Sequence, residues 1–533
     1  MSAQSPSTSG VPSTDGNYEQ YQDLLFVGRE PEAGLFRKKI EAAQKEPLRG
    51  SLIEAYGVIG AGKSWLMEHI RTRFHYGTDD SLRLDGHRLE KPTLTALVNL
   101  EQFSPSDLAV KRQETRFAEI LYDLLKPLVD ELINQLQEQG EVVSIPSFFA
   151  TEHPPSVEKL DEVAAAFKNF VCWLSEKKLP ILLFDTTEQL FRELPERDSD
   201  LLDWMEDNVF YPLVRIGQVI LVFSGRRRLR WKKFEIRRQV EPHHLEPFDK
   251  DDTERQLVKL AGENGEAVAQ ATYEYSFGHP FTSKVILEEL IQISQTQDIV
   301  LNKDLFVRNA SEIERVIDSR VIEGKFLLGV APRLKTMLRV IAVVRKFNAN
   351  PLRYFASQFI NPRYEQEAGA FYLDTIRDMV DSTLVEWSHA HGGYILDPVV
   401  RKIMSKHLLV TNVEGFKKRH RAAIQLYEKW IESYPENSGT YLIEELFHLF
   451  NLRLAERTSE ENIGEELLTI FREATIGEKS RLPQNMDMAI SLSEELKRDD
   501  ELEEAVSSIS TMAYQDLLQT AQDFVGKFTG RPT

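Results

Sequence analysis

Between Phe26 and about Leu245, short unbroken apolar runs alternate with segments in which apolar residues recur every three to four positions. Ile181-Leu182-Leu183-Phe184 and Val219-Ile220-Leu221-Val222-Phe223 read as strands buried on both faces; Leu52-Ile53-Glu54-Ala55-Tyr56 and Thr95-Ala96-Leu97-Val98-Asn99-Leu100 read as two more. Leu160, Val163, Phe167, Phe170 and Leu174 share one helical stripe. This alternation predicts an α/β domain, a parallel sheet with helices on both faces. After Pro247 the strand pattern gives way to helical periodicity through Leu290. From about 330 to 408 the pattern predicts a winged helix, with helices over Leu334 to Val343, after Pro351, and over Asp374 to Asp381. Leu384-Val385-Glu386-Trp387 and Tyr394-Ile395-Leu396 then flank the turn His391-Gly392-Gly393. From Val413 to Phe528 the chain reads as helical, with no repeat of the roughly 34-residue tetratricopeptide length.

A chain of 533 residues exceeds one core. The expected division is a disordered segment over 1–20, the α/β domain over 21–247 and a small helical domain over 248–328. A winged helix over 329–410 and an all-α region of hairpins over 411–533 complete it. Met1 to Asn17 is rich in Ser, Thr, Pro and Gly and lacks the basic and apolar regions of a signal peptide. No apolar run approaches the roughly 20 residues that cross a bilayer, so the expected address is the cytoplasm, without a membrane span. The single cysteine, Cys172, excludes an intramolecular disulfide and falls in an apolar helical pattern, where it is expected to be buried. The net charge of −19 argues against wholesale binding to nucleic acid or anionic membranes.

Chemistry enters with Gly57-Val58-Ile59-Gly60-Ala61-Gly62-Lys63-Ser64, which fits the phosphate-loop pattern GxxxxGK[ST] between a strand and a helix carrying Leu66, Met67 and Ile70. Its glycines let backbone N–H groups turn toward phosphate oxygens, and the helix N-terminus adds partial positive charge. Gly57, Gly60, Ala61, Gly62, Lys63, Ser64 and the adjoining Trp65 are therefore candidates for holding ATP or ADP. Lys63 would reach the β- and γ-phosphates, and Ser64 would ligate Mg²⁺. Asp185, closing the strand Ile181 to Phe184, supplies the carboxylate for Mg²⁺. Glu188 is placed either to polarise the attacking water or to answer a helix dipole.

With these residues placed, the chain resembles the STAND ATPases, the signal-transduction branch of AAA+-related P-loop proteins. The resemblance runs from Phe26 to about Leu449. Phe26-Val27-Gly28-Arg29-Glu30 is similar to the family's adenine-pocket box, and Asp185-Thr186-Thr187-Glu188 to the Walker B of prokaryotic members. Ser224-Gly225-Arg226 resembles the sensor, which implies that Arg226 lies near the γ-phosphate. Gly278-His279-Pro280 resembles the G-x-P motif, which implies that Pro280 packs on the base. One departure is Asp397, in Leu396-Asp397-Pro398-Val399-Val400, where the family often has a phosphate-binding His; an ionised carboxylate cannot donate to phosphate, and Asp397 is left out of the site.

The resemblance implies slow regulatory ATP hydrolysis, an ATP-dependent homo-oligomer and a separate effector or sensor protein as partner. The alternative is an ATPase acting on DNA, related to origin-recognition proteins or transposition regulators. For it speaks the basic run Arg226 to Arg238, with Trp231 and Phe234 interleaved. The same run also reads as a solvated loop paired with the acidic remainder. The third helix of the expected winged helix carries Asp374, Asp378 and Asp381 against Arg377 alone, the wrong charge for a DNA groove. A metabolic kinase is the weaker third reading, since no acceptor-substrate domain is visible.

Overall fold

Five apolar or edge-protected segments form the sheet on which the first half of the chain is built. They are β1 (Ser51–Tyr56), β2 (Thr93–Asn99), β3 (Leu179–Asp185), β4 (Ile220–Gly225) and β5 (Val240–His244). The computed structural model describes residues 21–45, 51–84, 86–102, 115–143, 146–147, 149–150, 160–191, 201–216, 218–389, 392–477 and 480–529. The segment 1–20, expected to be disordered, and His391 of the expected hairpin turn lie outside the described residues.

The strands run in the order β2-β3-β4-β1-β5, every neighbouring pair parallel. Ala55 lies across from Ser224, Tyr56 from Gly225 and Asn99 from Asp185, so all carboxyl ends meet one edge of the sheet. Ligands of open parallel sheets bind at that edge. Both faces are covered, as period-2 alternation requires. Leu94, Ala96 and Val98 of β2 join the core under α3 (Thr115–Glu138) and α4 (Leu160–Ser175). Thr93 and Thr95 face the other way, their hydroxyls donating at 3.0 Å to the carbonyls of Phe74 and Arg71. Arg71 belongs to α2 (Lys63–Arg73), and Phe74, which caps it, meets Phe36 of α1 (Glu30–Lys45) with ring centroids 5.1 Å apart. The exposed edge of β2 is closed by side chains of α3. Glu131 accepts from Leu97 N at 2.8 Å and Gln135 from Thr95 N at 3.3 Å, which removes a free strand edge.

Three points differ from the sequence reading. The edge strand β5 reads Val-Glu-Pro-His-His; it pairs only with β1 and lacks an apolar run. Cys172 is partly exposed rather than buried, because it lies beside the core stripe of α4, next to the exposed Trp173. The second helix of the 330–408 segment begins at Ala349 and takes Pro351 into its first turn, where a missing N–H costs nothing.

Contacts divide the chain into two compact units. One holds the described residues up to Tyr56 with Gly62–His244; the other holds Gly57–Ala61 with the described residues from Leu245 onward. The second unit is helical apart from one hairpin, β6 (Val385–Ser388) with β7 (Gly393–Leu396), in which Trp387 lies across from Tyr394. Among the described residues eight α-helices of this unit precede the hairpin, the last three being Pro332–Ile341, Ala349–Phe359 and Gly369–Asp381, and seven follow it. Asp397 caps Pro398–Thr411, its Oδ1 accepting from Val399 N at 3.0 Å and Val400 N at 3.1 Å. That is the ordinary task of an aspartate before a helix starting with proline. Among the described residues no helix is long and apolar enough to cross a membrane.

Candidate functional site

In the sheet unit, the left-handed Gly62 (φ 91°) opens α2, so Lys63 and Ser64 occupy its first turn, at the positive end of the helix dipole. Asp185, at the end of β3, is 3% exposed. Burial pushes its carboxyl above the usual carboxylate range, against the opposing influence of the Ser64 and Ser224 hydroxyls, the Lys63 ammonium and the Thr186 N–H. Lys63, Ser64 and Asp185 thus come together, the Ser64 hydroxyl hydrogen-bonded to the Asp185 carboxyl.

Thr186 turns the chain beyond Asp185 in a left-handed conformation (φ 62°), an outlier for a β-branched residue. It is held there by Thr186 N donating to Asp185 Oδ1 at 2.9 Å and its hydroxyl donating to Asn99 Oδ1 at 3.2 Å. Strain of this kind concentrates at functional sites. The turn starts the short helix Thr187–Phe191 and sets Glu188 in its first turn. There Glu188 Oε1 meets Arg226 Nε at 3.0 Å, and Oε2 accepts from Arg226 N at 3.2 Å. Glu188 and Arg226, predicted separately, form one pair at the carboxyl edge of the sheet.

Phe26 stacks face to face on His69 of α2, with centroids 3.9 Å apart, and Tyr21 bridges edge-on between Phe26 and Trp65. Tyr21 and His69 were not marked by motif reasoning; an aromatic at the start of the Phe26 box and a helical offset of four from Trp65 were the available signals. Val27 and Arg29 are buried, and Gly28 is left-handed (φ 68°). Arg29 pairs with Glu32 at 3.3 Å.

In the helical unit, Gly57–Ala61 of the phosphate loop is held by Gly278-His279-Pro280. His279 Nε2 donates to Ile59 O at 2.9 Å, while Nδ1 accepts from the Thr282 hydroxyl at 2.7 Å, which assigns the Nε2–H tautomer. Phe281 N donates to Gly60 O at 3.4 Å. A Cβ on Gly60 would stand 2.6 Å from His279 Cε1, in a backbone with φ 87°, so the loop admits only glycine there. Pro280 is buried as the first residue of Pro280–Gln297. The motif reading marked Pro280; the residue that grips the loop is His279.

Part of the basic run lies beside acids, while Arg230, Arg237 and Arg238 are exposed. Besides Arg226, Arg228 faces Glu54 at 3.8 Å, Lys232 pairs with Asp203, Lys233 pairs with Asp207 at 2.6 Å, and Trp231 is buried in the core. Phe234 is exposed.

Glu54, inside β1, is a group that motif reasoning passed over. Its carboxylate is 3% exposed, and burial pushes its pKa up to about 7, against the Leu229 N–H it accepts and the neighbouring Arg228. The folded chain keeps this proton up to about pH 7, whereas an unfolded glutamate loses it near 4.5. The linked stability is therefore full below about pH 4.5 and is lost as pH rises through 7, up to about 3 kcal/mol in all. Glutamine does not titrate but still accepts from Leu229 N. Paired unfolding curves at pH 5 and pH 8 should show Glu54→Gln gaining on the wild type with pH; a difference independent of pH would refute the assignment.

No protein-family model matches the chain, and no curated protein does. Among solved structures the chain is similar to the Aeropyrum pernix ORC2 protein in its ADPNP-ADP complexes, at 14% identity over 73% of this chain and 98% of that one, with a TM-score of 0.42. It is also similar to the Thermotoga maritima RuvB Holliday junction branch migration motor (14% identity, 70% and 96% covered, TM-score 0.34) and to Drosophila ORC bound to DNA (13%, 76% and 96%, TM-score 0.32). Likeness at this level says nothing about ligand or partner.

Proposed function

We propose that this chain is an ATPase working as a nucleotide-operated switch of the STAND kind, which binds ATP and ADP through its phosphate loop and hydrolyses ATP slowly. The observation that carries the reading is the gathering of Lys63, Ser64 and Asp185 at the carboxyl edge of the sheet unit, with Glu188 braced by Arg226. Lys63 binds the β- and γ-phosphates. Glu188 takes a proton from water as its oxygen attacks the γ-phosphorus and the bond to the bridging oxygen breaks, releasing ADP and phosphate. Arg226 orients Glu188 and meets the γ-phosphate charge. Ser64 and Asp185 suit Mg²⁺, since a hydroxyl and a buried carboxyl, both oxygen donors, face each other; when bound, the ion would neutralise phosphate charge. Phe26 and Trp65 belong to the nucleotide-binding set on this reading, as does Pro280.

The division into a lid over 248–328, a winged helix over 329–410 and a docking region over 411–533 is part of the proposal. So are a cytoplasmic location, an ATP-dependent homo-oligomer and a separate effector or sensor protein. The test is the nucleotide content of purified protein, read on an anion-exchange column after denaturation, together with titration of ATP and ADP in Mg²⁺. Retained ADP and saturable binding of both are expected. A nucleotide-free chain that binds neither would end this reading.

A further inference from the structure

The loop after β4, residues 226–233, begins with Arg226 and is held from beneath by two buried carboxylates. Glu54 of β1 accepts a hydrogen bond from Leu229 N. Glu206 accepts from Lys232 N at 2.8 Å through Oε2 and from Lys233 N at 2.6 Å through Oε1. Glu206 is 1% exposed and opens a π-helical turn, Glu206–Phe210, a distortion found mostly at functional positions.

Neither carboxylate is explained by packing. Glu54 shares its face of β1 with Leu52, at a core position where an apolar side chain costs nothing and an acid costs several kcal/mol unless its bonds are made. The contacts made go to one loop: Glu206 accepts from the Lys232 and Lys233 N–H groups, and Glu54 accepts from Leu229 N with the Arg228 guanidinium 3.8 Å away. At the end of that loop nearest β4, Arg226 meets Glu188 through both its Nε and its backbone N. The position of Arg226 relative to Glu188 is thus set by the loop's backbone.

Resting on the ATPase reading above, we propose that Glu54 and Glu206 are positioning residues of the hydrolytic site, fixing the 226–233 loop so that Arg226 orients Glu188. They act through the loop's backbone. Their loss misplaces a catalytic pair, and misplacement by an ångström lowers turnover by about 10- to 100-fold.

Methionine keeps the volume and removes the acceptor, so Glu54→Met and Glu206→Met are the test variants, with Glu54→Gln as the conservative one. Single-turnover ATP hydrolysis, ATP affinity and hydrogen exchange at the Leu229, Lys232 and Lys233 amides are read on each full-length chain. Both methionine variants should lose about 10- to 100-fold in rate with affinity unchanged within about two-fold, and their loop amides should exchange faster. Glu54→Gln, which still accepts from Leu229, should recover most of the rate. Loop amides exchanging in the methionine variants as in wild type, a loosened loop with full turnover, or affinity and rate falling in parallel would each overturn the proposal. Should a methionine variant not fold, the wild-type chain still decides: open-loop exchange at these three amides means there is no clamp. A wild-type chain that neither binds nor hydrolyses ATP defeats the ATPase reading and the positioning role with it, while the exchange data report separately whether the carboxylates hold the loop.

Discussion

Lys63→Ala is expected to weaken ATP binding by about 10- to 100-fold, the worth of a charge-assisted contact to phosphate, and to leave the ATP-dependent state unformed. Glu188→Gln is expected to do the opposite to that state. Glutamine keeps the shape and one acceptor for Arg226, so ATP binds, but it cannot take the proton from water, and hydrolysis slows by about 10²- to 10⁴-fold. A switch read out by ATP occupancy is silenced by the first change and prolonged by the second. An enzyme whose output is turnover is silenced by both. Phosphate release and a downstream readout, followed in parallel, separate the two; equal loss of output in both variants would replace the switch with a turnover-driven machine.

The second large effect is structural. Arg345 is 8% exposed and forks onto Glu444 (Nη2–Oε1 2.9 Å, Nε–Oε2 3.1 Å) and onto both oxygens of Asp499 (2.6 and 2.8 Å). Although burial disfavours its charge, Arg345 and Lys346 hold the Glu444 carboxyl below its ordinary range. Arg345→Ala leaves the 3% exposed Glu444 with Lys346 alone, at 3.4 Å, and Asp499 with only its helix-cap bond from Leu502 N, and should cost about 2–4 kcal/mol of stability in the helical unit. The exposed pair Arg498–Glu494, 3.5 Å apart, should cost under about 1 kcal/mol when broken. Urea unfolding of the two variants checks the contrast. A loss at Arg345 no larger than at Arg498 would mean the buried network holds little.

The strands were legible where burial on both faces leaves an unbroken apolar run, as at Ile181 to Phe184 and Val219 to Phe223. The edge strand β5 was not, because a strand paired on one side tolerates Glu241, Pro242 and two histidines. The meeting of Lys63, Ser64 and Asp185 was legible because their motifs fix residue types at fixed spacing. The pairing of Glu188 with Arg226 joins two segments through the fold, and no spacing reports it. Glu206 carries no local mark, since its partners lie 26 and 27 residues further along the chain. Glu54 did leave a signal, an acid at an inward position of a central strand, which the strand's apolar neighbours concealed. Asp397, at the position where the resemblance to STAND ATPases directs a search for histidine, caps a helix.

The most direct test of the switch is the mass and hydrodynamic size of the Glu188→Gln chain by size-exclusion chromatography with light scattering, in Mg²⁺ with ATP and then with ADP. A nucleotide-operated switch predicts a larger or more extended species with ATP alone, absent when Lys63→Ala is combined with Glu188→Gln. Identical profiles in the two nucleotides, with ATP verified as bound and unhydrolysed, would contradict it.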